Sequence, residues 1–338
     1  MTQSLSDLSD QILQAAKRAG ADAADAIAVD GTSLSITVRE GALEQAERSE
    51  GIDIGLRVFV GQRQACVSSS DTKPNTLTQM AERAVAMAKE APEDPHAGLA
   101  NPSQLTRNTA TEALELFDPS EEPDPAALQE DATRAEAAAL RNEGVSQVQS
   151  ASAGYGRRRI HLAASNGFSA GYARSDRGLS CVAISGTGAG MERDYDYDSR
   201  VFQADLRDAE EIGRIAAERA VERIGAKKPK TGAFPVLFDE RVASALIGSL
   251  LQATNGMMIA RGSSWLRDAV GEQVLPKGLS VIEDPHRVRV TGSRLFDAEG
   301  LATAQRAIVD DGVLTGWTLD LATGRKLGMA STANAARG

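Results

Sequence analysis

The chain has 338 residues; 42% are hydrophobic, 25% are charged, only 4% are aromatic, and the formal net charge is −10. These values are ordinary for a soluble globular protein of two or three domains. The negative charge opposes non-specific binding to nucleic acid, and no apolar run approaches the length of a membrane span. The first residues, MTQSLSDLSDQ, lack the pattern of a signal peptide. We therefore expect a cytoplasmic protein that binds neither nucleic acid nor membrane.

The first part of the chain predicts a helix, a β-meander and a second helix. Leucine and isoleucine at helical spacing predict an amphipathic helix over 5–19, which Gly20 ends. Alternating apolar residues predict the strands, which are 24–30, 33–39, 43–48, 52–60 and 64–68. The expected turns lie at Gly31-Thr32, Glu40-Gly41 and Gly61-Gln62. A helix over 76–91 closes this part.

Residues 92–125 form a different kind of segment, because they hold six of the eleven prolines and an acidic run. Proline disfavours helix interiors and central strands, so we expect a linker or a long crossing loop. After it the same element order returns. A helix is predicted over 126–142 and another over 208–224. The strands predicted between them are 146–154, 159–164, 168–174 and 179–185.

The two parts read as a repeat, about 1–91 and 126–228, within an N-terminal α+β region over 1–228. Their closing helices share the sequence AERAV, at 81–85 and at 217–221. Five residues of an alanine-rich helix can match by chance, but the matching element order strengthens the interpretation. Two such meanders can join into one larger sheet covered by helices.

The C-terminal part, 229–338, is predicted to be a mostly β domain around one buried helix. A strand over 234–238 leads into a helix over 239–255, in which Asp239 is the expected N-cap. No residue after Arg241 in this helix is charged, and apolar residues recur at helical spacing. We therefore expect the helix to be largely buried.

Common catalytic patterns are missing from the sequence. The three histidines, His96, His161 and His286, lie apart and have no metal-ligand spacing. There is no G-x-S-x-G elbow, and the glycine-rich stretch 185–190 precedes an acidic run rather than a helix. The two cysteines, Cys66 and Cys181, are expected to be buried free thiols rather than a disulfide. The sequence thus indicates no catalytic residue and no metal ligand.

Other residues admit a functional and a structural interpretation. Tyr195 and Tyr197 fall on one strand face and would contact a peptide or pack between subunits. Met257 and Met258 would lie at an interface or in the core. The basic run 157–159 is read as a solvated strand end rather than a nucleic-acid patch. Turn chemistry explains the carboxylates of the C-terminal part, which are Asp284, Asp297, Glu299, Asp310 and Asp311.

Five short segments of the C-terminal part carry a resemblance to a known family. They are EDPH at 283–286, SRLF at 293–296, DAEG at 297–300, DGVL at 311–314 and RKLG at 325–328. With them the chain resembles the PmbA (TldE) branch of the TldD/PmbA family, also called peptidase family U62 or "modulator of DNA gyrase". The TldD branch carries a His-Glu-x-x-x-His zinc motif on the helix that corresponds to 239–255. Here that motif is degenerate, with Gly248, Ser249 and Ala253 at its positions.

The resemblance implies a role for the chain within a protease complex. It would be the subunit without zinc, inactive alone, and would contribute interface and part of a peptide chamber. A TldD-like partner would hold the zinc, and a homodimer would form in the partner's absence. Substrates would be unfolded peptides, including microcin precursors and labile antitoxins. The alternative is a regulatory binding protein of the gyrase-modulator type. Family members continue well beyond 338, so the C-terminal domain is expected to be incomplete.

Overall fold

The computed structural model describes residues 4–337, and a six-stranded antiparallel sheet dominates it. The strands follow the spatial order β3-β2-β1-β4-β5-β6. Their bounds are β1 Ala23–Arg39, β2 Ala42–Val60, β3 Arg63–Ser69, β4 Val145–Ala164, β5 Ser169–Ser185 and β6 Glu192–Arg200. The second meander therefore continues the sheet of the first, and β1 and β4 meet at its centre.

Four helices cover one face of this sheet. They are α1 Leu5–Ala19, α2 Pro74–Glu90, α3 Pro125–Leu140 and α4 Ala209–Glu222. Each begins at a residue with extended backbone, and Ser4, Asp124 and Asp208 accept a backbone N–H as N-caps. Within residues 4–337, no helix is long and apolar enough to cross a membrane.

The helices pack in two pairs, one pair on each half of the sheet. Even-numbered residues of β1 enter both cores: Ala24, Ala26 and Ala28 pack with α1 and α2, whereas Leu34 and Ile36 pack with α3 and α4. Because side chains alternate along a strand, both pairs lie on the same face. The small core residues permit close packing, which explains how a chain with few aromatic residues fills its core.

This arrangement confirms the α+β class and joins the two predicted meanders into one sheet. The expected strand breaks, however, are wrong: β1 runs unbroken through Gly31, and β2, β4 and β5 each merge predicted strands. Gly31 pairs with Gly51 on one side and with Arg158 on the other. The backbone hydrogen bonds that β1 makes with β2 and with β4 outweigh the weak strand preference of a single glycine.

The turn between β1 and β2 is confirmed at Glu40 and Gly41, which both have positive φ, 54° and 71°. Such a turn matches the twist of the flanking strands. The buried carboxylate of Glu136 on α3 accepts hydrogen bonds from both backbone N–H groups, at 2.7 and 2.9 Å. The first hairpin is thereby tied to a helix of the second half.

The proline-rich connection is a crossing loop rather than a free linker. It forms short 3₁₀ turns at Pro102–Gln104 and Glu112–Leu114. Thr106 N donates to Gly300 O at 2.8 Å, and Ser175 N donates to Leu116 O at 3.0 Å. The connection therefore contacts both the sheet and the C-terminal region.

The C-terminal region contains three helices and a small sheet of order β7-β8-β9. Their bounds are α5 Glu240–Ala253, α6 Gly256–Ala260, β7 Val281–Glu283, β8 Arg306–Asp310, β9 Val313–Leu314 and α7 Leu321–Leu327. Asp239 is the N-cap of α5, as expected, and accepts from Arg241 N at 3.0 Å.

The expected burial of α5 is wrong for the described residues. Only Leu250 and Ala253 of this helix are buried, whereas Val242, Leu246 and Ile247 are exposed. The preceding segment 234–238 forms no strand, and Leu237 is 98% exposed. Periodicity specifies an apolar helix face, but burial also requires an element that covers this face.

One ion pair follows from a β-bulge in the first hairpin. The register shifts between Thr37 and Val38, and as a result Asp25 lies directly opposite Arg57. The Arg57 Nε donates to both Asp25 oxygens at 3.1 Å, and both side chains are largely buried, at 14% and 13% exposed. Burial alone lowers the pKa of Arg57, but the hydrogen bonds and charge of Asp25 raise it overall.

Breaking this pair should destabilise the protein. We expect Arg57→Met to lower the free energy of unfolding by about 3–5 kcal/mol, because the largely buried Asp25 carboxylate loses its hydrogen-bonded partner and keeps only the Arg337 guanidinium, 3.8 Å away. Adding Asp25→Asn should recover part of the loss, with a coupling energy of about 0.5–3 kcal/mol. Urea denaturation of the two single variants and the double variant measures the coupling. Strictly additive losses would show that the pair does not interact.

His161 should make stability depend on pH. Its Nδ1 lies 3.1 Å from Ser9 Oγ and its Nε2 lies 3.3 Å from Ser169 Oγ, and burial lowers its pKa below 6.5. In the unfolded chain the ring takes up a proton near pH 6.5, whereas the folded protein resists it, so stability falls as pH drops through 6.5. The loss of melting temperature between pH 7.5 and 5.5 should be smaller in His161→Gln. Equal losses in both proteins would contradict this assignment.

Candidate functional site

All three degenerate motif positions lie on α5, two of them exposed and one buried. Gly248 and Ser249 are exposed, and Ala253 is buried. The Ser249 hydroxyl donates to Ala245 O at 3.0 Å. Zinc requires imidazole, thiolate or carboxylate ligands, which these three residues do not supply. The donor set at this position therefore does not fit zinc.

The histidines are engaged in separate local hydrogen bonds. The ring of His286 lies with its Nε2 3.0 Å from Thr303 Oγ1, the ring of His161 contacts the two serines described above, and only the backbone N–H of His96 is seen to donate, to Asp94 Oδ1 at 2.9 Å. Across residues 4–337, no group of three or more His, Cys, Asp or Glu side chains could hold a metal ion. The expectation that this chain binds no zinc stays a prediction. Its chemical basis is that the three motif positions offer no zinc ligand.

Tyr195 and Tyr197 lie on the outward face of the edge strand β6. Their rings stack with centroids 6.1 Å apart, and 43% and 57% of the residues' surfaces are exposed. The Arg241 guanidinium lies 5.3 Å from the Tyr195 ring centroid and joins the start of α5 to this strand. Both the peptide and the subunit interpretations of the tyrosines remain open.

The alternate residues of β6 are aspartates that face inward and bind arginines. Asp194 accepts from Arg241 at 2.7 Å, and Asp196 Oδ2 forms an ion pair with Arg207, whose Nη2 lies 2.8 Å away. Burial alone raises the pKa of Asp194 and that of Asp198, but their arginine and backbone hydrogen bonds hold both below the usual value.

The same arginines also occupy carbonyl groups of the strand edge. Arg207 Nη2 donates to Tyr197 O at 2.7 Å, and Arg241 Nη1 donates to Tyr195 O at 3.1 Å. An unpaired edge strand invites another strand to add to it, and charged side chains reduce that tendency. A peptide that added to β6 would have to displace these arginines, so contact with the exposed rings is the simpler role for the two tyrosines.

The two methionines have different environments. Met257 is half exposed on α6, while Met258 is partly buried and its sulfur lies 3.7 Å from Ser263 Oγ. Ile259, next to them, is buried in the core of the C-terminal region. Met257 is thus available for an interface, whereas Met258 is largely engaged within the chain.

A large concave surface lies on the sheet face opposite α1–α4. Three cavities of about 240, 640 and 400 Å³ adjoin there between the sheet and the C-terminal region. Ile27 and Arg337 belong to the walls of all three, and we call the combined surface the central groove. Concave sites of this size are the usual location of ligand binding.

The floor of the central groove is made of small residues. Gly31 and Gly51 pair directly across β1 and β2, and Ser33 and Ser49 lie beside them. A Cβ placed on Gly51 would meet no heavy atom within 4 Å, so the space above it is open. Such a floor leaves room for an extended main chain to lie close to the sheet.

Charged residues cluster where the groove meets the C-terminal region. Arg337 Nη2 lies 3.3 Å from Glu299 Oε1 and 3.8 Å from Asp25 Oδ2. Burial raises the pKa of Glu299 and that of its neighbour Asp297. Asp297 Oδ1 accepts from Glu299 N at 2.9 Å and from Leu301 N at 3.0 Å, so the turn interpretation of Asp297 is correct.

Sequence reasoning missed most of the groove. Asp25 and Arg57 carry no motif, and their pairing depends on the bulge at Thr37. Glu299 lies in a segment singled out for resemblance but was interpreted only as a turn residue. Cys66 was expected to be buried, yet it lies exposed on β3 in the wall of the smallest cavity.

Family models match most of the chain. Residues 24–88, 118–224 and 231–338 match those described as PmbA/TldA metallopeptidase domain 1, central domain and C-terminal domain. The chain is 34% identical over 318 residues to Metalloprotease PmbA from Escherichia coli O157:H7, covering 93% of this chain and 69% of that protein. It is 33% identical over 326 residues to the Metalloprotease PmbA homolog from Haemophilus influenzae, covering 96% and 71%.

A solved structure has the same fold. A protein from Bacteroides thetaiotaomicron described as a modulator of DNA gyrase superposes with a TM-score of 0.91 at 25% identity, over 97% of this chain and 75% of that one. The matched models span more than half of the chain, and the relatives agree with them over nearly its full length. The chain therefore belongs to the PmbA/TldD family of metallopeptidases.

Proposed function

We propose that this chain is the subunit of a PmbA/TldD-type metallopeptidase complex that binds the unfolded peptide and holds no zinc itself. The observation that carries the proposal is the set of residues at the motif positions of α5. Where the TldD branch has a His-Glu-x-x-x-His motif, this helix has Gly248, Ser249 and Ala253. The zinc would be held by the partner subunit, where it would supply an activated water.

The central groove is the part of the chain suited to a peptide. Its floor of glycine and serine leaves the sheet face accessible, and three adjoining cavities share residues of its lining. A groove that contacts mainly the peptide backbone tolerates many side chains, which fits an enzyme that acts on unfolded peptides. The chain would thus hold substrate for the partner's catalytic site.

The interface with a TldD-like partner would use the exposed apolar surface of the C-terminal region. This surface is formed by Phe234, Val236, Leu237, Phe238, Val242, Leu246, Ile247, Leu251 and Met257. Large apolar residues that are exposed in such number within one short part of a chain often mark an interaction site. In the partner's absence, the same surface would support a homodimer.

We further propose that the complex works in the cytoplasm, on microcin precursors and labile antitoxins. The resemblance to the PmbA branch supports this assignment, and the net charge of −10 agrees with peptide rather than nucleic-acid ligands. The alternative is a regulatory binding protein without a role in proteolysis. It is favoured by the description of the Bacteroides structure as a modulator of DNA gyrase.

Reconstitution with a TldD-like subunit that has an intact zinc motif tests the proposal. We expect the purified chain to bind well below one zinc per chain and to leave an unfolded peptide uncut, because it lacks zinc ligands and an activated nucleophile. The mixture should cleave the peptide, and a chelator should abolish this activity. Metal analysis and a fluorogenic peptide assay provide the measurements, with each subunit alone as the control.

Two results would contradict the proposal. Chelator-resistant cleavage by the chain alone would require a different catalytic site, to be sought around Asp284, His286 and Asp297. A mixture that binds peptide but never cleaves it would favour the regulatory alternative.

A further inference from the structure

We propose that the free edge of β5 at Gly171 and Ala173 binds a segment of the unfolded peptide as an added strand. The unpaired backbone groups of this edge indicate that its ligand is an extended main chain. That this main chain belongs to the peptide substrate rests on the proposed function.

The strand β5 is longer than the strand that covers its outer edge. β6 pairs with β5 only from Arg177 to Ser185, whereas β5 begins at Ser169. Residues 169–176 therefore have β4 on one side and, within the part of the chain that the structure describes, no strand on the other. Part of the sheet edge is thus left without a partner strand.

The backbone groups of Gly171 and Ala173 point to this open side. Along an antiparallel pair, successive residues turn their N–H and C=O groups alternately toward and away from the partner strand. Phe168 O accepts a hydrogen bond from the end of β4, whereas Ser175 N donates away from β4, to Leu116 O of the crossing loop at 3.0 Å. The register of β4 and β5 does not shift between these points, so the odd-numbered residues share the orientation of Ser175.

The outward groups of these two residues lack protein partners. Among residues 4–337, no hydrogen bond reaches the N–H or C=O of Gly171 or of Ala173 from the open side. At β6, in contrast, arginines bind the carbonyls of the edge, and such charged groups discourage a further strand. Two donors and two acceptors in line match the main chain of an extended segment, which can add to the sheet there.

The crossing loop leaves this edge open because it is held elsewhere. It meets β5 through Leu116 O, but at Glu115, which has a φ of 47°, it changes direction. Leu114 O then accepts from Arg289 N at 2.9 Å instead of pairing with the strand. The contact with Arg289 ties the loop to the C-terminal region and keeps it away from Gly171.

A cavity of about 530 Å³ separates the loop from the free edge. It lies within the roughly 300–1,000 Å³ of usual ligand sites. The charge of Arg289 in its wall is already paired with Glu115 and with Asp205. The apolar part of its wall is formed by Leu116, Phe117, Pro119 and Phe202. We therefore expect the added strand to place an apolar side chain against this wall.

The free edge adjoins the central groove at Tyr172. This residue lines the 530 Å³ cavity as well as the 640 and 400 Å³ cavities of the groove. Its ring is held by Phe296, with centroids 5.7 Å apart, and by the Arg174 guanidinium at 5.0 Å. A peptide in the groove can thus continue past Tyr172 and pair with the edge of β5.

Backbone methylation of a peptide tests the pairing on the protein without its partner. The probe is a capped, unfolded hexapeptide with one leucine, together with variants that are N-methylated at one amide each. An added strand turns alternate amides toward β5, so methylation should weaken binding at least about tenfold at two alternate amides and little between them. Isothermal titration calorimetry measures the affinities. Equal effects at all positions would overturn the inference.

A proline at the edge removes one donor from the protein. The N–H of Ala173 has no partner in the chain, and proline is tolerated where an edge strand faces solvent, so Ala173→Pro should stay folded in a thermal melt. We expect this variant to bind the hexapeptide at least about tenfold more weakly. Ala173→Ser keeps the N–H and is the matched control, with unchanged affinity. Equal affinities of the two variants would contradict the added strand.

Hydrogen exchange gives a readout that needs no variant. The amides of Gly171 and Ala173 should exchange fast in the free protein and more slowly with the hexapeptide bound, because they gain acceptors. Unchanged exchange of segment 169–174 at saturating peptide would refute the site. Protection that rises with protein concentration in the absence of peptide would assign the edge to a second copy of this chain and overturn the peptide assignment.

Cleavage by the reconstituted complex separates this inference from the proposed function. If a complex containing Ala173→Pro cleaves the hexapeptide as fast as the unmodified complex, the added strand is refuted and the proposed function stands. Alternating methylation effects without any cleavage would support the added strand and refute the proposed function.

Discussion

The antiparallel pairing of β1 with β4 is the constraint on which the rest of the structure depends. It runs from Asp25 opposite Ala164 to Val38 opposite Ala151 and joins the two halves into one sheet. Because the helix pairs of both halves lie on one face, the other face stays free of helices across the junction. The central groove exists because of this one-sided arrangement, and its lining includes residues of both β1 and β4.

The two edges of the sheet differ in how far their surroundings are occupied: arginines cover the edge at β6, whereas a cavity lies beside β3. This difference favours the groove as the ligand site. At β6, Arg207, Arg219 and Arg241 bind the inward aspartates, and they also occupy the carbonyls of Tyr195 and Tyr197. This edge is therefore protected against a further strand. Close to the other edge, Asp25, Arg57 and Arg337 connect the sheet to the C-terminal region and leave a cavity beside β3. The β6 edge is thus covered by arginine side chains, whereas the cavity beside β3 stays accessible.

Local sequence predicted the elements well but not the surfaces that they form. The helix caps and the turn at Glu40-Gly41 depend on neighbouring residues, and they were recognised. Gly31 was mistaken for a break because its ladder partners lie far away in the chain. Counting back from the turn, without the bulge at Thr37, Asp25 would face Leu56 rather than Arg57. The exposure of α5 likewise depends on tertiary contacts, which periodicity does not contain. The groove could not be predicted because it depends both on the pairing register of distant strands and on tertiary contacts with the C-terminal region.

Photocrosslinking gives the most direct test that peptide lies in the central groove. An unfolded peptide with benzoylphenylalanine at successive positions would be irradiated with the protein, and the attachment sites would be mapped by mass spectrometry. The account predicts crosslinks within 27–33, 49–57 and 158–172, the segments that line the central groove. Crosslinks confined to the tyrosines of β6 or to the apolar face of α5 would contradict it.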